Sequence, residues 1–225
     1  MKNFIPVLIA LLLCVSVSAQ YKKASFFEKE GRTYELGSRA YFLGDGRGTP
    51  VGFSIGFGRD RGGKRFFSAW EIQIIPSYKY SYSTVDENND PIHRDGRAKT
   101  HWIYAVNYGY HLLNNEEPRK VQPYVVAGIN IVMAGGVREE TETQGYYGYP
   151  QRNTAYSAFS AGIHGGLGCL VNLNSTLSLK VQSGYDAQWN VDGEEFMDNT
   201  VKPYYMFPSH VYASVALRVR VVRDK

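Results

Sequence analysis

The sequence predicts an all-β protein, an eight-stranded antiparallel up-and-down transmembrane β-barrel. Three observations point there. Apolar and polar residues alternate with a period of two in eight stretches. The connections between those stretches are alternately short and long. The more polar face is built mainly of Gly, Ala and Ser, with a few charges.

Taken in order, the chain opens with "MKNFIPVLIALLLCVSVSAQ". Lys2 is a positive end, Phe4 to Val15 an apolar core and Val17-Ser18-Ala19 a small-residue cleavage site, so residues 1–19 read as a secretory signal peptide. The apolar run is too short for a comfortable membrane-spanning helix. Residues 20–33 read as a periplasmic leader and 34–225 as the barrel domain. Without the signal the chain keeps 24 Lys and Arg against 21 Asp and Glu, a net charge of +3, too mild to imply a nucleic-acid partner. One cysteine remains, Cys169, so no internal disulfide forms. The chain also has 23 Gly and 18 Tyr, a bias toward β-structure.

The alternating stretches follow. Tyr34 to Leu43 sets Tyr34, Leu36, Ala40 and Phe42 against Glu35, Gly37, Arg39 and Tyr41. Val51 to Phe57 sets Val51, Phe53, Ile55 and Phe57 against Gly52, Ser54 and Gly56. Phe66 to Tyr82 sets Trp70, Ile72 and Ile74 against Ala69, Glu71, Gln73 and Lys79. His101 to Leu112 sets Trp102, Tyr104, Val106, Tyr108 and Tyr110 against Ala105, Asn107 and Gly109. Pro123 to Met133, Ala155 to Val171, Leu177 to Trp189 and His210 to Val222 complete the eight. Connections 58–65, 113–120 and 172–175 are short, whereas 83–97, 136–153 and 190–205 are long. The first connection, 44–50, is short and breaks the pattern. With both termini on one side, every long connection falls on the other, as in barrels with short periplasmic turns and long outer loops.

Periodicity alone leaves open which face is inside. A soluble lipocalin-like barrel would turn the apolar face inward. A solvated strand face, however, favours Thr, Lys, Glu and Arg, and Gly there weakens the strand. Small residues suit a place where space is short, and the interior of an eight-stranded barrel is just wide enough for side chains to fill it. The polar face therefore points inward and Leu177, Leu179 and Val181 face lipid. Trp102 and Tyr104 at one end of a strand, with Tyr108 and Tyr110 at the other, match the two interfacial girdles.

On these residues the mature chain resembles the small eight-stranded outer-membrane barrels of the OmpX and OmpA transmembrane-domain type. The resemblance rests on pattern rather than on a diagnostic motif, and the chain departs from it in ending "SVALRVRVVRDK", without the usual terminal aromatic. It implies a Gram-negative cell envelope, localisation in the cell outer membrane, and contact with outer-membrane lipid. The expected role is non-enzymatic: presentation of the outer loops for envelope integrity, adhesion or binding of an envelope or surface protein. The alternatives are a lipid A-modifying barrel enzyme and a soluble lipocalin-like carrier.

The inward charges Glu35, Arg39, Glu71, Lys180, Asp186, Arg218 and Arg220 are expected to form a barrel-interior ion-pair network, with Glu35 pairing to Arg218 or Arg220 and Glu71 facing Arg39 and Lys180. Lys79 is placed with them. Enzymatic barrels gather His, Ser or Asp near the outer rim. No histidine here has Ser two residues on, and adjacent Ser209 and His210 face opposite sides, so no catalytic residue is assigned. Asp86, Asn88 and Asp90 begin like a calcium loop, but Pro91 stands where Gly is required and Arg97 where Glu is required, so neither metal nor cofactor is expected. Tyr146, Tyr147 and Tyr149 in "GYYGYP" are the loop residues best suited to an aromatic binding surface. The basic turn "GRDRGGKR", Gly58 to Arg65, lies on the short-turn side.

Overall fold

A computed structural model describes residues 30–43, 48–61, 64–85, 91–113, 120–134, 138–144, 151–155, 159–190 and 209–222. The signal segment, most of the leader, Asp86, Asn88, Asp90, the tyrosines 146, 147 and 149, and nearly all of connection 190–205 lie outside the described residues. All regular structure among those described is strand: β1 (Gly31–Leu43), β2 (Val51–Asp60), β3 (Phe66–Ile75), β4 (Tyr78–Val85), β5 (Pro91–Ala98), β6 (His101–His111), β7 (Val121–Ala134), β8 (Arg138–Gln144), β9 (Gln151–Ala155), β10 (Phe159–Asn172), β11 (Leu177–Asn190) and β12 (His210–Val222).

Eight of these close into an antiparallel barrel in the order β1-β12-β11-β10-β7-β6-β3-β2. The ladder register fixes its geometry. A walk across directly opposed residues runs from Thr33 to Gly58, Ala69, Asn107, Gly128, His164, Asp186 and His210, and returns to β1 at Leu43. The circuit has climbed from 33 to 43, a shear of ten residues. Eight strands at that shear tilt steeply, within the ~35–45° of known membrane barrels, and enclose a narrow lumen.

The faces lie as the alternation predicts. Leu36, Trp70, Phe53 and Ile129 are 65%, 68%, 61% and 61% exposed on the outer wall, whereas Arg39 and Arg218 are each 3% exposed inside. Such an outer wall excludes the soluble, inverted barrel.

The alternation is misleading at one place. Phe66 to Tyr82 is not one strand. Pro76 has no N–H to donate to a ladder, and the chain breaks there into β3 and β4, which belong to different sheets. Two of the long connections are likewise not simple loops. Strand β4 pairs with β5, β5 with β8 and β8 with β9, all antiparallel, to make a second sheet in the order β4-β5-β8-β9. That order repeats the barrel order of β3, β6, β7 and β10, each continued by one strand of the second sheet. His101 opposes Ala134 at the end of the β6–β7 ladder, and Arg97 opposes Glu139 just beyond it. Half of the barrel wall therefore continues past the barrel as a four-stranded sheet. Period-two hydrophobicity could not announce β8 or β9, because REETETQ and QRNTA have no apolar face. β1 also starts earlier than the alternation, at Gly31, and Thr33 is buried in the lumen.

The small inward residues make room for large ones. Gly168 lies under the ring of Tyr124, so that a Cβ there would overlap the ring directly, and Tyr124 is 1% exposed. Gly165, three positions before it on β10, faces outward and a Cβ would meet nothing nearer than 3.9 Å. Gly168→Val is expected to block refolding into the compact, heat-modifiable form seen by electrophoresis, while Gly165→Val refolds normally. Equal behaviour of the two would contradict the assignment of faces.

Candidate functional site: a charged lumen beneath a protruding sheet

The lumen is organised by residues that alternate inward from every barrel strand. At its centre the Arg39 guanidinium reaches both oxygens of Glu71 at 3.1 Å. Asn107 Nδ2 donates to the same carboxylate at 3.1 Å. The Gln73 amide, turned so that its oxygen meets the cation, accepts from Arg39 Nη1 at 2.9 Å and donates to the Tyr41 hydroxyl at 2.8 Å. Arg39 also lies 4.3 Å from the centre of the Tyr212 ring. Asn107 Oδ1 meets His164 Nε2, extending the network across the lumen.

Toward the end that carries the second sheet, Asp186 accepts from Asn130 Nδ2 at 2.7 Å and from Gln188 Nε2, and stands 3.8 Å from His210 Nε2. Tyr41, Leu43, Ile75, Ile103 and Val132 pack together at the same end. Toward the other end, Lys180 Nζ bonds Glu35 at 2.6 Å and Arg218 Nε is 3.5 Å from the other oxygen of Glu35. Arg218 Nη2 bonds Asp60 at 2.8 Å, and Arg220 Nε is 3.5 Å from Asp60. Phe67, Tyr124, Val126 and Leu170 pack beside this cluster.

Seven of the eight charges expected inside are buried, all but Lys79. Glu35 pairs with Arg218 and Glu71 with Arg39, as expected; Arg220 meets Asp60, and Lys180 bonds Glu35. Asp60 is the partner of Arg220 and a second partner of Arg218; sequence reading left it in a turn because the alternation of β2 stops at Phe57. The ladder runs three residues further, and Gly58 and Asp60 keep the inward parity. Lys79 is the one expected inward charge that is not inside: it stands on β4, beyond the break at Pro76, and is exposed.

Charges this deep are tolerated because each is matched by an opposite charge or by amide and hydroxyl groups. The arrangement is a filled and cross-linked interior, and its chemistry is structural. His93 on β5 has the other arrangement of interest. Its two ring nitrogens lie 3.2 Å from Ser81 Oγ and 3.3 Å from Ser83 Oγ on β4. A Ser–His pair is the minimum of an acyl-transfer site, but this one sits on an exposed sheet surface, with the orienting nitrogen also occupied by a serine. Nucleophilic catalysis needs that nitrogen held by a fixed partner and donors poised for an oxyanion. Among the described residues no group of three His, Cys, Asp or Glu is placed to hold a metal ion.

No protein-family model and no curated protein sequence matches the chain. Solved structures do. A major outer membrane protein from Thermus thermophilus superposes with a TM-score of 0.50 at 12% identity, over 85% of this chain and 99% of that one. The attachment invasion locus protein Ail of Yersinia pestis gives a TM-score of 0.43 at 10% identity, over 86% and 98%. The N-terminal β-barrel domain of Pseudomonas aeruginosa OprF gives 0.41 at 12%, again over 86% and 98%. The likeness is one of fold.

Removal of the Glu71 carboxylate leaves Arg39 buried without its main counter-charge. Glu71→Ala is expected to destabilise the refolded barrel by about 3–5 kcal/mol, and Glu71→Gln by less because an amide oxygen still accepts from the guanidinium. Urea unfolding followed by tryptophan fluorescence measures both; an unchanged midpoint for Glu71→Ala would contradict the role given to the pair.

Proposed function

We propose that this barrel, with the fold and the apolar outer wall of an outer-membrane β-barrel, is a membrane anchor and that its working part is the sheet β4-β5-β8-β9, held outside the bilayer as a surface for adhesion or partner binding. One observation carries this reading: the sheet ends in β4 on one side and β9 on the other, each paired on a single side among the described residues. An edge strand offers unpaired N–H and C=O groups at regular spacing, which an extended segment of another protein can complete as an added strand. The rigid barrel wall below fixes the direction of those edges. The filled lumen supports anchoring over transport, because conduction would require breaking several buried pairs at once. The tyrosines Tyr146, Tyr147 and Tyr149 follow β8 directly in sequence.

Orientation is tested first. Cysteines placed at Ser83 and Thr154 should react with a membrane-impermeant thiol reagent on intact cells, and one at Thr176 should not; the native Cys169 is buried and silent. Equal labelling at all three sites would contradict the orientation. Photo-cross-linking residues at the same two edge positions should then yield discrete protein adducts on intact cells, while one at the lipid-facing Trp70 should not. The competing reading, a lipid A-modifying enzyme, predicts a changed lipid A mass spectrum on deletion of the protein; the anchor reading predicts an unchanged one.

A further inference from the structure

The short-turn end of the barrel carries a charged patch that neither the lumen nor the protruding sheet uses. Arg32 on β1 and Arg59 on β2 both face outward and are exposed, and they are direct cross-strand partners. Like charges so placed repel unless an anion lies between or below them. Arg61, Lys64 and Arg65 follow in the adjoining turn and are exposed as well. Of the described acids nearby, Asp60 turns inward to Arg218 at 2.8 Å, and Glu30 pairs with Arg59 itself at 2.6 Å, in a pair that is more than half exposed on both sides.

The patch sits directly under an aromatic band. Arg65 Nη1 donates to the Tyr110 hydroxyl at 3.1 Å, and the Phe66 ring packs on Tyr110 with centroids 4.9 Å apart. Tyr34 and Phe57, on the strands that carry the two opposed arginines, meet edge to face at 6.0 Å. Rings with a polar tip mark the depth of lipid headgroups. The bases therefore stand at the height of headgroup phosphates, just beyond the hydrocarbon. The sector across the barrel differs. Its turn, 173–176, reads Leu-Asn-Ser-Thr, and Leu173 and Val221 face outward there.

We propose that the described bases of this sector, Arg32, Arg59, Arg61, Lys64 and Arg65, form a binding site for the phosphate headgroup of an anionic phospholipid in the leaflet at the short-turn end. Guanidinium groups bind phosphate oxygens in parallel pairs, and two arginines opposed across a ladder can share one headgroup. Bound there, a phosphate adds a second anion beside the exposed Glu30–Arg59 pair and lowers the repulsion among Arg32, Arg59 and Arg61. The inference rests on the barrel spanning a bilayer but not on which way it faces or on what the protruding sheet binds.

The test uses the whole protein in nanodiscs of phosphatidylethanolamine with about one-fifth phosphatidylglycerol, where both leaflets have the same composition. Lipids retained on mild detergent extraction are quantified by mass spectrometry. The site predicts about five-fold enrichment of phosphatidylglycerol over the bulk mixture, roughly the effect of one net basic contact near a charged surface. The enrichment should fall sharply at about 0.5 M salt, where exposed charges are screened. It should be lost in the triple variant Arg59→Gln, Lys64→Gln, Arg65→Gln. It should persist in Lys79→Gln, Arg97→Gln, Lys99→Gln, which removes the same charge from the other end. Heat-modifiable mobility checks that each variant is folded. Bulk composition around the unmodified protein, or equal loss in both triple variants, would overturn the proposal.

Discussion

Closure at a shear of ten is the constraint on which the rest of the structure depends. Eight strands tilted that steeply leave an interior only as wide as the side chains that fill it. Each inward position must then be small, or must be matched by a small one opposite, as Gly168 is to Tyr124. Each inward charge must find its partner across the lumen, because too little water fits between to solvate it. Arg39 with Glu71, Lys180 with Glu35 and Arg218 with Asp60 meet this demand, and each pair joins strands that are far apart in sequence. These pairs act as cross-braces between walls already joined by ladders.

The same constraint explains how much could be read from the sequence. Alternation with a small-residue face fixed the inside and the outside, so the burial of Glu35, Arg39, Glu71, Lys180, Asp186, Arg218 and Arg220 followed from parity alone. Partner choice followed for Glu35 with Arg218 and Glu71 with Arg39 but not throughout, because it depends on register and strand length, and one more inward residue at the end of β2, Asp60, takes Arg220 and shares Arg218. The signal for Asp60 was present: Gly58 and Asp60 continue the inward parity of Gly52, Ser54 and Gly56. Pro76 was likewise a readable break inside an otherwise alternating run. The second sheet was hidden for a different reason. Its strands beyond Tyr80 have no apolar face, so their pairing is dictated by the barrel strands they continue rather than by their own residues.

That origin bears on function. Among the described residues, the extension rises from half of the wall, over β3, β6, β7 and β10. At the opposite end the exposed bases Arg32, Arg59, Arg61, Lys64 and Arg65, among the described residues, lie around β1, β2 and β3. The barrel between them is uniform in its apolar wall and its packed lumen. A stiff cylinder with unlike ends suits a protein that holds a surface in place, and the buried ion pairs contribute the stiffness.

The central claim is that the apolar face meets lipid and the charged face meets itself. Trp70, near the middle of β3 and next to the buried Glu71, tests it most directly. A variant retaining Trp70 as its only tryptophan, refolded into bilayers, should have its fluorescence quenched strongly by phospholipids brominated along the acyl chains and scarcely by aqueous iodide. Strong iodide quenching with no response to the brominated lipids would contradict the account.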